Sequence, residues 1–144
     1  MKEQNYSNHS RLVPLFHFIA LPLNLIIIGC AAISLYRHYI AGLGMMLPAI
    51  ALMIGILLLL LGFSSRRFGL VAQDRAIRAE ENLRYFAITG NLLDSRLTIG
   101  QIIALRFAPN NELLDLAHLA SENNMSPKEI KQAIKNWKGD HHRV

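Results

Sequence analysis

The sequence predicts an all-α protein: a two-helix transmembrane hairpin, then a long juxtamembrane helix and three short cytoplasmic helices. Three observations carry this. Two predominantly apolar stretches, Leu12–Leu35 and Leu43–Phe63, are each long enough to cross a bilayer, which takes about 20 helical residues. After them, apolar residues recur at spacings of three and four between helix-start and helix-stop signals. No stretch alternates with the period of two that a strand requires.

Charge divides the chain at the same place. Residues 12–63 carry one charged side chain, Arg37, whereas 64–144 carry twelve Lys/Arg against nine Asp/Glu. The reading is therefore a short N-terminal segment 1–11, a hairpin 12–63, a juxtamembrane helix 64–89 and a helical domain 90–144. The net charge of +5 suits a position near an anionic leaflet and does not by itself imply nucleic acid. The lone Cys30 excludes an intramolecular disulfide and a multi-cysteine zinc site. Ile27-Ile28-Gly29-Cys30 loosely matches a lipoprotein cleavage pattern. Apolar sequence continues beyond it into a second span, however, so Cys30 is read as an ordinary embedded residue.

Orientation follows from basic flanks. Lys2 and Arg11 precede the first span and Arg66, Arg67, Arg75 and Arg78 follow the second, while the connecting loop has only Arg37. The positive-inside rule then puts both termini in the cytoplasm. Tyr36 and Tyr39 at the loop end, and Phe63 and Phe68 at the other, fit interfacial anchoring.

Within the spans, Gly44, Pro48, Ala51, Gly55 and Gly62 share a narrow helical sector that includes the small pair Ala51-x-x-x-Gly55. His17, Ala20, Asn24, Ala31, Ser34 and His38 do the same on the first span. These faces are expected to pack against each other or against a partner's helices, leaving Leu52, Ile54, Leu57, Leu58 and Leu61 toward lipid. Pro14 belongs in a first turn, and Pro22 should bend or open the helix. Asn24, two residues on, is placed to bond a freed carbonyl or another helix. His17 and Asn24 are the strongly polar side chains at depth, a default place to look for function. A haem or metal would want a second ligand; His38 is near the opposite face and His9 lies outside the span, so no cofactor is expected.

In the tail, Phe68, Ala72, Ala76, Ala79, Leu83 and Phe86 are read as the apolar face of the juxtamembrane helix, with Asp74–Arg78 and Glu80–Arg84 as i,i+4 pairs; the helix either runs on from the second span or is jointed at Gly69. Gly90 is its left-handed stop. Thr98 with Gln101 forms a capping box opening Ile99–Phe107. Ala108-Pro109 separates this from a helix over Asn110–Glu122 with Leu113, Leu116, Ala117 and Ala120 inward. Ser126 and Glu129 form a second capping box, with Pro127 at the first helical position. They lead into Glu129–Lys138, whose buried face is Ile130, Ile134 and Trp137.

On that last helix Lys128, Lys131, Lys135 and Lys138 step by three, four and three into a lysine stripe. Its ordinary reading is a solvated face. Contact with anionic lipid or an acidic protein is the functional one. Nucleic acid is disfavoured: Asn136 is placed for a base contact, but the helix lacks arginine and the preceding turn lacks glycine. The terminal Asp140-His141-His142 is read as a solvated end rather than a metal site. Phosphate loops, nucleophile elbows, His-Glu-x-x-His and paired intramembrane carboxylates are all missing, so no enzyme is expected.

Four segments carry a resemblance: Asn8–His17, Gln73–Arg84, Leu97–Ala108 and Ser126–Trp137. Together they resemble a family of small bacterial two-span membrane proteins classed as a domain of unknown function. The resemblance implies a bacterial inner-membrane location and brings no reaction, ligand or catalytic residue. The expected role is that of a membrane-anchored interaction or accessory protein. Its expected partners are membrane lipids and either itself, as a homo-oligomer, or a larger membrane complex. A small oligomeric transporter or channel component, and a membrane-tethered DNA-binding regulator, are the alternatives.

Overall fold

The computed structural model describes Asn5, Tyr6 and residues 12–140. Lys2, His9, Arg11, His141, His142 and Arg143, which entered the sequence reading, lie outside the described residues. The architecture is all-α, with no strand among the described residues. A π-helical segment Leu15–Ala20 leads into α1 (Leu21–Ile40); then come α2 (Met46–Thr89), α3 (Ile99–Leu105), α4 (Asn110–Glu122) and α5 (Pro127–Ala133). Two compact units result, residues 12–69 and, among the other described residues, 70–140 with Asn5 and Tyr6. The helix α2 contributes to both.

In the first unit, Leu15–Ile40 and the apolar start of α2 are each long and apolar enough to cross a membrane. The π segment sits just upstream of Pro22, which cannot donate a backbone bond and crowds the carbonyl four residues back. The register widens there: the Leu21 N–H bonds the Phe16 carbonyl, five residues back. This is the local opening expected of Pro22. The loop is shorter than read from sequence, because α1 continues through Tyr36 and Tyr39 to Ile40. It turns on Gly42, whose φ of +67° favours glycine.

The second span and the juxtamembrane helix are one element, and Gly69 lies inside it without a break. The face of its second half differs from the sequence reading. Ile77 and Glu81 are buried and Arg84 and Tyr85 half-buried, whereas Phe68, Ala72, Ala76, Ala79, Leu83 and Phe86 are all exposed. The small domain selects the polar-lined side because its charged side chains find partners there. Arg84 pairs with Glu81, one turn back, and not with Glu80.

The core of the second unit is Phe107, Ile102, Leu105, Leu113 and Ile130, all fully buried, with Ala104, Ala117 and Ala120 between them. Both capping boxes form: Thr98 and Gln101 cap α3, and Ser126 and Glu129 cap α5. Gln101 does more than cap. Its Oε1 accepts from the Thr98 N–H at 2.7 Å while its Nε2 donates to the Met125 carbonyl at 2.8 Å, pinning the start of α3 to the turn before α5. Gly90 ends α2 at φ +74°, and Asn124 takes φ +47° in the α4–α5 turn. The helix α4 has the predicted bounds.

The helix α5 does not. It stops at Ala133, and Ile134 turns extended with ψ 121°. The reason lies on α4. The Glu112 carboxylate accepts from the N–H groups of Lys135 and Asn136 and from the Asn136 Nδ2, at 2.8–3.0 Å. The Lys138 N–H donates to the Phe107 carbonyl at 2.8 Å, and the Trp137 ring lies 4.9 Å from that of Phe107. Leaving the helix gives the chain's amides these acceptors and brings Trp137 onto the core. Those amide bonds hold the Glu112 carboxyl below its ordinary pKa. A lowered pKa makes this clasp favourable above the usual carboxylate range and weaker as pH falls through the lowered value. Amide hydrogen exchange should report it: Glu112→Ala should speed exchange at Lys135 and Asn136 by about tenfold, as expected for losing about 1–1.5 kcal/mol of local hydrogen bonding. Unchanged protection would refute the clasp.

Candidate functional site

One polar residue of the first unit, Asn24, ties its two helices together. Asn24, on the first turn of α1, donates from Nδ2 to the Gly55 carbonyl on α2 at 3.3 Å. Its Oδ1 is buried without a hydrogen-bond partner. Gly55 is buried because Ile28 lies directly on it; a Cβ built there would stand 2.8 Å from Ile28 Cγ1. Ala31 and Pro48 are buried further along. At Gly62 a Cβ would meet only Phe16 Cε2, at an ordinary 3.5 Å. Phe16 is bracketed by the Phe63 ring at 6.0 Å and the Arg66 guanidinium at 5.6 Å. A cleft of about 320 Å³ lies beside this contact, lined by Phe16, Leu21, Ile27, Leu58 and Phe63, with Asn24 as its polar member.

Of the predicted small face on the second span, Pro48, Gly55 and Gly62 are brought to the seam. Gly44 and Ala51 are not. Gly44 precedes α2, and Ala51 is exposed at the edge of a seam that runs through Pro48, half-buried Leu52, Gly55, half-buried Leu59 and Gly62. These positions step by four, three, four and three, the spacing of helices packed at a shallow angle. Leu52, expected to face outward, belongs to this seam. His17 serves its own helix: Nδ1 lies 2.9 Å from the Val13 carbonyl and 3.1 Å from the Val13 nitrogen. His38 does the same with the Ser34 carbonyl at 2.8 Å.

The lysine stripe is dispersed by the early end of α5. Lys128 is exposed on its first turn, and Lys131 lies 5.8 Å from the Phe107 ring. Lys135 and Lys138 fall in the non-helical segment after α5, and Asn136 is held by Glu112. Lys138 is instead within electrostatic reach of Glu81.

Sequence reasoning missed the polar cluster around Glu81. The Arg84 Nη1 bonds the Glu81 carboxylate at 2.9 Å, Nη2 the Ala108 carbonyl at 2.6 Å and Nε the Asn110 Oδ1 at 2.8 Å. One guanidinium thereby closes the end of α3, the start of α4 and the side of α2 into one contact. Buried Arg106 pairs with Asp140 at 3.2 Å. Burial pushes the Glu81 carboxyl above its ordinary pKa, against the pull of Arg84 and Lys138. The usable signal was Ala108-Pro109-Asn110, a helix junction that leaves a carbonyl open to a donor. Chemically the cluster is a structural clasp. No group of three or more His, Cys, Asp or Glu suited to a metal occurs among the described residues.

The sequence model of the family of unknown function DUF6526 matches residues 1–144. The chain belongs to this family. No curated protein and no solved structure matches this DUF6526 member.

Two measurements check these contacts. In detergent solution Gly55→Ala should lower the thermal unfolding midpoint, at an overpacking cost of about 1–3 kcal/mol, whereas Gly62→Ala should leave it nearly unchanged. Equal effects would reject the Ile28–Gly55 contact. For Glu81, the raised pKa means that the folded state holds its proton more tightly than the unfolded chain does. The stability it contributes is therefore complete below the ordinary value of 4.5 and is lost as pH rises through the raised one. The stability of the unaltered chain relative to Glu81→Gln should fall with rising pH across that window; a flat difference would count against burial as the cause.

Proposed function

We propose that this DUF6526 member is a non-catalytic, membrane-anchored helical protein of a bacterial inner membrane that acts by association. The hairpin crosses the bilayer, both termini are cytoplasmic, and the domain formed by residues 90–144 is held at the membrane surface for a second copy or a larger membrane complex. One observation supports this most. Within residues 12–69 only Ala31, Pro48 and Gly55 are buried, while leucines and isoleucines project on every other side. Water would not tolerate so large an apolar surface, and lipid solvates it without cost. The core helix of a water-soluble protein has the opposite burial.

The backbone supports the same reading. Two helices satisfy their amides internally, and the widened turn before Pro22 keeps most of its bonds. Arg66 and Arg67 end the apolar part of α2 and Arg37 alone marks the loop, so the basic excess lies on the side of the C-terminal domain. The polar side chains at depth, His17 and Asn24, are engaged with Val13 and Gly55 and supply bonding between turns and helices.

The test is fractionation combined with topology. The full chain should sediment with membranes through a high-salt wash and require detergent for release. A reporter active only in the cytoplasm should work when fused at Val144. A reporter active only outside should work when inserted at Gly42. Recovery in the detergent-free supernatant, or the reverse reporter pattern, would overturn the reading.

A further inference from the structure

We propose that the second half of α2 pairs in parallel with the same segment of a second copy, forming a short coiled coil whose seam is Gly69, Ala72, Ala76, Ala79, Leu83 and Phe86. The inference rests on the membrane reading above and names the partner that it leaves open. All six positions are exposed, with Leu83 at 68% and Phe86 at 49%, and they step by three, four, three, four and three. That is the spacing of the a and d positions of a coiled coil. The opposite side of the same helix is already covered through Ile77, Glu81 and Arg84. The stripe is therefore an apolar face left over after this chain has folded.

The choice of a second copy comes from the flanking charges and from geometry. Two copies inserted in one membrane with one topology must run parallel along this helix. In a parallel pair, the residue just before an a position meets the residue just after the following d position on the partner, five residues further along. With Ala76 and Leu83 at a, and Ala79 at d, Arg75 of one copy then faces Glu80 of the other. Symmetry repeats the pair on the far side. Both side chains are exposed, and neither has an ion-pair partner within the chain among the described residues. Gly69, Ala72, Ala76 and Ala79 let the two backbones approach, and Leu83 and Phe86 supply the larger apolar contact. Confinement to one membrane raises the effective concentration of the copies, so a short seam suffices.

Single-cysteine crosslinking of the full chain in native membranes tests this, on a Cys30→Ser background. Mild oxidation should give disulfide dimers from Ala76→Cys, Ala79→Cys and Leu83→Cys, and little from Val71→Cys or Arg78→Cys on other faces. In the Ala79→Cys chain, adding Glu80→Arg replaces two attractions by two repulsions and should lower the dimer fraction about tenfold. Arg75→Glu together with Glu80→Arg should restore it. Equal crosslinking at every position, none at any, a maximum on another face, crosslinks to a protein of different mass alone, or indifference to Glu80→Arg would each overturn the interface. Sedimentation of the same samples separates the two claims. A chain that stays with the membrane but lacks the pattern refutes the interface alone. A chain in the supernatant refutes the membrane reading and the parallel arrangement with it.

Discussion

The continuity of α2 is the constraint on which the rest of the chain depends. It is one helix from Met46 to Thr89, and it supplies a wall to each of two compact units. A helix can do this because its hydrogen bonds are internal and independent of what packs on its sides. Gly69 could have been a joint, since glycine costs about 1 kcal/mol in a helix interior relative to alanine. The helical residues on both sides carry it through. The side chains then decide what each length of the helix meets: Gly55 meets Ile28 of α1 and Gly62 meets Phe16 of the π segment, while Arg84, paired with Glu81, meets Ala108 and Asn110 of the small domain.

What was legible in the sequence was what is decided locally. Both capping boxes, the left-handed stop at Gly90, the bounds of α4 and the opening before Pro22 each depend on residues within one or two turns of each other. What was not legible depends on distant groups. The end of α5 is dictated by Glu112, more than twenty residues earlier, and no periodicity within Pro127–Lys138 announces it. Ile130, Ile134 and Trp137 do all face the core, yet Trp137 reaches it from a non-helical stretch of chain. The lysine stripe assumed a helix that was no longer there. In the first unit Pro48, Gly55 and Gly62 lie in the seam with Leu52 and Leu59, and Ala51 is exposed at its edge. A rotation of about 30° around a helix is beyond what residue size alone determines.

A common device appears wherever elements meet. In each case a polar side chain rather than an apolar one fixes the junction: Asn24 to the Gly55 carbonyl, Gln101 to the Met125 carbonyl, Glu112 to the amides of Lys135 and Asn136, Arg84 to the Ala108 carbonyl. Apolar packing is non-directional and would leave these short helices free to slide. A hydrogen bond to a named backbone group specifies one register, even when its net stabilisation is only about 1 kcal/mol. For a domain whose helices are seven to thirteen residues long, this specificity is what the small core of Phe107, Leu113 and Ile130 cannot provide alone.

The exposed apolar residues of the chain are of two different kinds, and the distinction bears on what covers them. On residues 12–69 they are large, aliphatic and distributed around the helices, with no charge between Leu12 and Phe63 except Arg37. Such a surface has no charged border and no narrow stripe. On residues 72–86 they form a narrow stripe of small residues ending in Leu83 and Phe86, bordered by Arg75 on one side and Glu80 on the other. A stripe with charged borders is a poor match for lipid, where those charges would be desolvated, and a good match for a surface carrying the complementary charges in the same register. The exposed side of α2 thus changes character at about Arg66, from apolar all round to a narrow apolar stripe among charges, without any change in its secondary structure.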